Sequence, residues 1–428
     1  MHSSRFRAGD WVEVLSKEEI LATLDHRGQL ESLPFMPEMF ELCGKRFKVF
    51  KRAHKTCDPP SGLRGRRMAN AVHLDGVRCD GHAHGGCQAR CLLFWKDAWL
   101  RSVEEVAHRP SPQKLEPRPS IAAPPTNPSG CREEDVWAWT RNPESSPEND
   151  PVFVCQSTQL PFATRVISRW DVRQYLEDYA SGNAPLSQLA GSFVAFVFHK
   201  LVIAGVGLGL PLRLVYDAFQ KLRRGTPYPW RAGRIPKGSA TPAARLDLQP
   251  GEWVRIRSQK DILATINEEG LNRGMSFDPE MVPYCGGTFR VLERVSQIID
   301  ERTGKMHHLK NDCIMLDEVV CRACYAAYRR FCPRSIHSYW REIWLERAVP
   351  VPTALDPIAA NDPRSSEIPG NLGDLAPSGA HMATPAAIIC CGDDDRGGHT
   401  PQEPCGTASA RDPRPGSARK GASDLCLH

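Results

Sequence analysis

Apolar and polar residues alternate in two short runs, one at the start of the chain and one past its middle. The runs WVEVLS at 11–16 and WVRIRS at 253–258 place apolar side chains at every second position, as half-buried strands do. Each run ends on a serine, Ser16 or Ser258, that can act as a helix N-cap. The following KEEILATL and QKDILATI carry apolar residues at helical spacing, so the pattern predicts a strand and then a short helix in both places.

The two places belong to one long internal repeat. Residues 9–28 align with 251–270, and 35–49 align with 277–291, without a gap at an offset of 242. A three-residue insertion in the second copy then shifts the offset to 245, where WKDAWL meets WREIWL. Chance does not hold a register over such a length, and two copies are too few for a solenoid. The sequence therefore predicts two modules of about 100 residues each.

Further strand patterns complete each module, among them RFKVFKR with TFRVLER and VHLDGVRC with IMLDEVVC. The predicted fold class is α+β with mainly β modules: two tandem small SH3-like, partly open barrels joined by a helical middle segment, with a disordered C-terminal tail. The predicted division is a cysteine-rich β module at 1–108, a Pro-rich linker at 109–131, a helical middle segment with an apolar stretch at 132–245, a second cysteine-rich β module at 246–350, and the tail at 351–428.

Composition narrows the class of protein without naming a function. The net charge of +5 is small for 428 residues and does not demand a nucleic-acid partner. The N-terminal MHSSRFRAGDWVEV has no apolar core of a secretion signal, so we expect a cytoplasmic setting, with peripheral attachment to the inner membrane as a variant. In a reducing compartment, sixteen cysteines are better explained by metal binding or free thiols than by disulfides.

Eight of these cysteines are candidate metal ligands. Thiolates suit zinc or an iron–sulfur cluster, and each copy keeps four cysteines in its distal half although two of the four have moved. A four-ligand requirement would produce that result, so we predict a zinc site in each copy, with an iron–sulfur cluster as the alternative and core packing as the competing explanation. The predicted ligands are Cys57, Cys79, Cys87 and Cys91 in the first copy and Cys313, Cys321, Cys324 and Cys332 in the second.

Histidines lie near the cysteines of the first copy alone. They are His54, His73, His82 and His84. A catalytic zinc site keeps an open position and often uses histidine, so the first copy could carry a working site while the second is structural. No catalytic residue is assigned. Glu38 and Glu280, in a shared F-x-P-E-M motif, are interpreted as caps of helices or turns.

The middle segment contains an apolar stretch with two open interpretations. The unbroken run Leu201–Leu212 has 12 residues, which is short of the ~20 that span a bilayer. Cations such as Arg213 and Lys221 follow it, which favours membrane-surface contact through residues 193–216. The alternative is a buried hairpin between the modules. A single span is disfavoured because Lys200 would lie near its middle.

Residues 45–67 hold nine Lys or Arg against one Asp, and could meet a phosphate backbone. The aligned stretch of the second copy is nearly balanced in charge, so a solvated strand face is the preferred interpretation and nucleic-acid binding is disfavoured.

The repeated ILAT, PEM and CG motifs, together with LKNDCIMLDEVVC and FCPRSIHSYWREIWLERAV, resemble a family of uncharacterised bacterial proteins with a duplicated cysteine-rich module. The likeness covers about residues 8–108 and 150–349. No activity is assigned to that family, so the resemblance implies a bacterial cytoplasmic setting and no catalytic residue.

The sequence thus favours a metal-stabilised, non-enzymatic binding or scaffold protein that docks to a protein partner or a membrane surface. One alternative is a metal-dependent or iron–sulfur redox enzyme that uses one cysteine cluster. A second is nucleic-acid binding through residues 45–67. No small-molecule substrate is identified.

Overall fold

A computed structural model describes residues 5–59, 64–103, 130–142, 150–168, 171–204, 209–223, 225–325 and 330–349. The tail predicted for 351–428, and all but the last two residues of the linker predicted for 109–131, lie outside the described residues.

The first module consists of short strands and one short helix. They are β1 (Trp11–Val14), α1 (Lys17–Leu21), β2 (Gln29–Leu30), β3 (Leu33–Pro34), β4 (Arg46–Arg52), β5 (Lys55–Asp58), β6 (Arg64–Met68), β7 (Ala71–Arg78), β8 (Leu92–Lys96) and β9 (Leu100–Ser102). The middle of the chain adds α2 (Glu133–Ala138), α3 (Gln156–Ala163), β10 (Thr164–Val166), α4 (Arg173–Ala180), α5 (Leu186–Ile203) and α6 (Gly209–Leu222). The second module has β11 (Trp253–Ile256), α7 (Gln259–Leu263), β12 (Leu271–Asn272), β13 (Met275–Ser276), β14 (Thr288–Ile299), β15 (Met306–Val320), β16 (His337–Trp340) and β17 (Leu345–Arg347).

Each module is built on one antiparallel five-stranded sheet, and the two sheets have the same topology. The strand orders are β8-β7-β4-β1-β9 and β16-β15-β14-β11-β17, and the first sheet curls into a half-barrel. The pairing Val12↔Phe47 reappears as Val254↔Phe289, shifted by 242 in both strands. A mixed α+β fold dominated by strands is therefore confirmed.

The shared sequence motifs serve local structure. Ser16 and Ser258 accept hydrogen bonds from the backbone N–H of Glu19 and Asp261, so both predicted N-caps are present. The threonine of each ILAT motif accepts a hydrogen bond from the buried second tryptophan of WKDAWL or WREIWL. Trp99 donates to Thr23 at 3.0 Å, and Trp344 donates to Thr265 at 2.9 Å. These pairs join the residues just after the first helix to the 3-10 turn before the last strand of each module, because a buried indole N–H requires a partner.

One long hairpin differs between the modules. In the second module β14 and β15 pair continuously from Ile299↔Met306 to Val291↔Leu316, apart from bulges. In the first module the corresponding strands are broken into β4 with β5 and β6 with β7, at His54 and at Asn70, whose φ is +49°. The outer part, β5 and β6, joins β10 in a separate three-stranded sheet. The break carries Cys57, in β5, out of the half-barrel.

The middle segment adds to the cores on both sides of it. Cys155 and Leu160, at α3, belong to the core of the first module, where Gln156 hydrogen-bonds the backbone of Phe94 at 2.8 and 2.9 Å. Further along, Tyr228 and Trp230 form a small core with α5, α6 and Tyr325.

A buried arginine joins the modules. Arg334, 2% exposed in its side chain, forms an ion pair with Glu301 of the second module. It also donates to the backbone carbonyl of Cys57 at 3.2 Å and to the hydroxyl of Ser157 at 2.8 Å. A second contact between the modules comes from the Gln88 side chain, which accepts the backbone N–H of Ser296 at 2.8 Å. The loop between β7 and β8 is thereby fixed on the long hairpin of the second module.

We predict that Arg334→Met lowers the free energy of unfolding by about 3–5 kcal/mol, because it strands the Glu301 carboxylate and two buried acceptors. Urea denaturation measures the change. The control is Arg347→Met, which removes an exposed pair with Glu252 (2.8 Å) and should change the free energy of unfolding far less, because solvent screens an exposed pair. Equal losses in the two variants would contradict the assigned role of Arg334.

A second prediction concerns His73 of β7, which is fully buried and bonds through Nδ1 to the carbonyl of Leu93 at 2.9 Å. Burial lowers its pKa to about 3, and the cations of Arg334, Arg78 and Lys51 add to the effect. As the pH falls through about 6.5, the His73 imidazole therefore takes up a proton in the unfolded chain but stays neutral in the folded protein. Stability is complete above that pH and falls as the pH drops, by roughly 2 kcal/mol at pH 5 from this group.

The matched variant is His73→Met, because the second module carries the buried Met315 at the equivalent position. Urea denaturation at pH 7 and pH 5 should show a loss of stability smaller in this variant than in the wild type by roughly 2 kcal/mol. The exposed His26→Gln serves as control. An unchanged pH dependence in His73→Met would disprove the assignment.

Candidate metal centre

The loop CDGHAHGGCQARC, residues 79–91, is folded back on itself between β7 and β8. A short 3-10 turn, His82–His84, lies between Gly81 (φ +77°) and Gly85 (φ +74°). Position 81 has room for no side chain, because a Cβ there would lie 2.0 Å from the carbonyl oxygen of Cys87. A Cβ at position 85 would lie 2.6 Å from the ring of Phe153. The glycines therefore allow the turn that directs His84 inward.

Three chemically different side chains meet at this loop. His84 Nε2 lies 3.3 Å from the Cys79 sulfur, and both residues are buried. Glu38, from the 3-10 helix Pro37–Leu42, completes a group whose ligand atoms all lie within 4.8 Å of one another. Among the described residues this is the only group of three or more cysteine, histidine or carboxylate side chains that close.

The polar atoms of this group lack other partners. Both carboxylate oxygens of Glu38 and Nδ1 of His84 are buried without a hydrogen bond from the described residues. Burial raises the pKa of Glu38 and lowers the pKa of His84 to about 4. Burial, then the charges of Glu38 and neighbouring thiols, raise the pKa of Cys79. Buried polar atoms are normally satisfied, whereas the two Glu38 oxygens and His84 Nδ1 are not, and the Cys79 sulfur and His84 Nε2 contact each other. A soft metal ion would explain this arrangement.

Three further thiols border the same space. Cys79, Cys87, Cys91 and Cys155 line a cavity of about 30 Å³, with His84 among the other lining residues. The Cys91 sulfur accepts the hydroxyl of Ser157 at 3.3 Å, and the Cys87 sulfur accepts the backbone N–H of Ile299 at 3.3 Å. Burial raises the pKa of Cys87 to about 11 and that of Cys155 to about 12. Without a metal these two thiols are protonated at neutral pH.

Neither predicted quartet of cysteines converges as a set. Cys57 is not beside Cys79; it lies in a small buried cluster with Cys332, Ala323 and Cys321 of the second module. A hydrogen bond to Cys57, together with burial, raises the pKa of Cys332 well above its usual range. The grouping by copy is corrected because the broken hairpin takes β5 across the junction between the modules.

The remaining predicted ligands of the second module are separated. Cys313 lies in the core, where its sulfur donates to the carbonyl of Val295 at 3.8 Å and burial raises its pKa to about 12. Cys324 packs with Tyr325 and Trp230 in another core cluster. Of the second quartet, only Cys321 and Cys332 share a cluster.

The other histidines of the first copy have separate roles. His82 lies edge-on to the ring of Trp137 at 6.3 Å, and His73 is in the core. His54 Nε2 lies 3.2 Å from the buried Asp178 carboxylate, which also binds Lys55 at 2.5 Å. The predicted basic stretch 45–67 is partly neutralised in this way, since Arg67 also pairs with Glu177 at 2.7 Å.

Sequence reasoning interpreted Glu38 as a cap and did not consider Cys155. Cys155 lies in the middle segment, outside both copies, so a count of cysteines within the repeat could not include it. The signal for Glu38 was its place in a shared motif. In the second module the equivalent Glu280 accepts the backbone N–H groups of Cys324 (2.9 Å) and Tyr325 (2.5 Å), a capping role that Glu38 does not have.

No protein-family model, no curated protein and no solved structure matches this chain.

Proposed function

We propose that the protein is a non-enzymatic binding scaffold whose first module is stabilised by a soft metal ion, zinc in preference to an iron–sulfur cluster. The observation that carries the proposal is the buried group Glu38, Cys79 and His84, with its unpartnered polar atoms. Thiolate, imidazole and carboxylate are the three ligand types of protein zinc sites. Cys91 and Cys155 line a cavity together with Cys79 and His84, but their sulfurs lie outside the group of mutually close ligand atoms, so the proposed site has three protein ligands.

The size of the site favours structural over catalytic metal. A cavity of about 30 Å³ holds an ion or one to two waters, whereas substrate pockets are about 300–1,000 Å³. A closed coordination shell is characteristic of structural zinc. Binding would release the proton of each thiol, so metal affinity should rise with pH.

We also propose that each module is an SH3-like, partly open barrel. Each module orders its strands as fifth, first, second, third and fourth along the chain, and a 3-10 turn, Asp97–Trp99 or Glu342–Trp344, leads into the last strand. That order and that turn support an SH3-like, partly open barrel for both copies. The analogy concerns fold alone and implies no ligand.

We predict that the purified protein holds about one zinc per chain and that Cys79→Ser and His84→Asn lose most of it. Metal analysis after dialysis measures the content, and cobalt substitution reports thiolate ligands through its charge-transfer absorption. Cys43→Ser is the matched control, since Cys43 is a half-buried cysteine of the same module outside the cavity.

Full zinc content in both Cys79→Ser and His84→Asn, with folding intact by circular dichroism, would refute the site. A brown, oxygen-sensitive preparation containing iron and sulfide would instead favour the iron–sulfur alternative.

We also propose that the α5–α6 hairpin docks on an anionic membrane surface. α5 has 18 residues with a mean hydropathy of 1.5, and by length and composition alone it is the one described helix that could cross a membrane. Only 12% of it is buried, which does not favour the hairpin as a core between the modules. The inner face packs on Tyr228 and Trp230. The outward apolar residues include Phe193, Val194, Leu201, Leu210, Leu214, Val215 and Leu222.

Charge favours a lipid surface as the occupant of this face. Lys200, Arg213, Lys221 and Arg223 lie on the same hairpin as the exposed apolar residues. An interfacial helix buries its apolar side at the headgroup boundary while long cationic side chains reach anionic lipids. One acidic residue, Asp217, lies within α6, and it is paired with Arg231.

We predict that the full chain sediments with vesicles containing one-third phosphatidylglycerol, and that Phe193→Glu/Leu214→Glu lowers the partition coefficient roughly tenfold or more. Both side chains are exposed, so the fold should persist. Phe162→Glu, an equally exposed apolar residue on α3, is the control and should bind like wild type. Unaltered sedimentation of the double variant, or none by the wild type at low salt, would exclude this surface.

A further inference from the structure

The second module contains a surface cleft of about 500 Å³ whose lining is strongly cationic. It lies between the β12–β13 turn, the middle of β15 and the start of the 3-10 turn Glu342–Trp344. Five cationic side chains and two carboxylates line it: Arg245, Arg273, Arg294, Lys310, Arg341, Asp312 and Glu342.

The duplication provides an internal reference for this charge. Arg294 and Glu342 pair at 2.7 Å, and the equivalent Arg52 and Asp97 of the first module pair at 2.9 Å. Two further cations of the cleft, Arg273 and Lys310, are peculiar to the second module. Glu31 and Met68 of the first module become Arg273 and Lys310 in the second, at the offset of 242.

The buried cation at the base of the cleft shows the consequence. In the first module Lys96 donates to Glu31 at 2.6 Å, so its charge is neutralised. Its equivalent, Arg341, donates to backbone carbonyls instead, among them Asn311 at 2.7 Å and Arg273 at 3.0 Å. No carboxylate in the described part of the chain forms an ion pair with Arg341. Four hydrogen bonds to backbone carbonyls hold the guanidinium rigidly, and its charge adds to the positive potential of the cleft.

A second observation points to a ligand at the same place. Asn272 is fully buried and lines the cleft, and its Nδ2 group donates to the carbonyls of Pro242 (2.9 Å) and Thr265 (2.8 Å). Those two bonds fix the orientation of the amide, which leaves Oδ1 as a buried acceptor without a partner among the described residues. A buried acceptor of this kind calls for a donor such as a ligand hydroxyl.

We infer that this cleft binds a small phosphorylated molecule: Arg273 and Lys310 meet its phosphate groups, Arg341 contributes positive charge at the base, and Asn272 accepts from a hydroxyl. Guanidinium groups match phosphate oxygens with two parallel hydrogen bonds. The volume fits a molecule of nucleotide or sugar-phosphate size, and the cations form one compact site rather than the stripe that a nucleic-acid backbone requires.

Inorganic pyrophosphate is the probe, titrated into the full chain by calorimetry at low salt. Arg273→Glu and Lys310→Met restore the residues of the first module, and each should weaken binding roughly tenfold or more. Arg273→Glu should fold, because the chain already carries a glutamate in the same left-handed backbone region at Glu31 (φ +52°, against +48° at Arg273).

Lys260→Glu makes the same change of charge as Arg273→Glu, but at an exposed position of α7 outside the cleft. It should leave the affinity for pyrophosphate within about twofold of wild type. The inference fails if wild type does not bind pyrophosphate, if Lys260→Glu weakens binding as much as Arg273→Glu, or if citrate binds as tightly as pyrophosphate. Tighter binding of pyrophosphate than of orthophosphate or citrate, lost in the two cleft variants, supports it. This outcome is independent of the metal content of the first module.

Discussion

The ion pair between Arg334 and Glu301 is the contact on which the arrangement of the modules depends. A charged guanidinium taken out of water costs several kcal/mol unless its donors are satisfied, and Arg334 is almost wholly buried. Its partners come from three parts of the chain: Glu301 from the second module, the Cys57 carbonyl from β5, and Ser157 from α3. Removing any of these parts leaves a buried charge short of a partner, so the three must assemble together.

The backbone around Arg334 shows how strongly this position is determined. Phe331 and Ser335 both adopt the left-handed region, with φ of +59° and +44°. Such conformations cost about 1–3 kcal/mol for residues other than glycine and persist where the surroundings over-determine them. Arg78, from the first module, donates to the Ser335 carbonyl at 3.0 Å and holds the same segment from the other side. The two modules are thus joined by a specific buried contact rather than by a flexible linker alone.

Local pattern was sufficient for much of the fold and insufficient for the site. The N-caps at Ser16 and Ser258, and the strand and short helix on either side of each, follow from neighbouring residues, which are what alternation and helical spacing report. The grouping of Cys57 depends instead on whether one hairpin is continuous, and both copies carry strand patterns on either side of that point. Asn183 of the middle segment accepts the backbone N–H of Arg52 at 2.8 Å, next to the break, and no pattern within the repeat contains that contact.

The duplication explains why two similar modules offer different chemistry. The sheet and the indole–threonine hydrogen bonds depend on residues that the two modules share. The surroundings of these residues differ between the modules. The shared glutamate lies in different surroundings: Glu38 faces Cys79 and His84, whereas Glu280 accepts backbone N–H groups. At a second pair of equivalent positions, Lys96 forms an ion pair with an acidic residue, whereas Arg341 bonds backbone carbonyls. A closed cavity and an open cationic cleft are therefore alternative outcomes of one scaffold.

These sites are also linked through the junction. The Cys91 sulfur, on the wall of the cavity, accepts from Ser157, and Ser157 in turn accepts from Arg334. An ion bound at the proposed site would stabilise the folded protein by mass action, and these hydrogen bonds would couple the site to the segment that carries Arg334. Under the proposed function, the first module would then hold the second in place, while the cleft and the helical hairpin would remain exposed for binding.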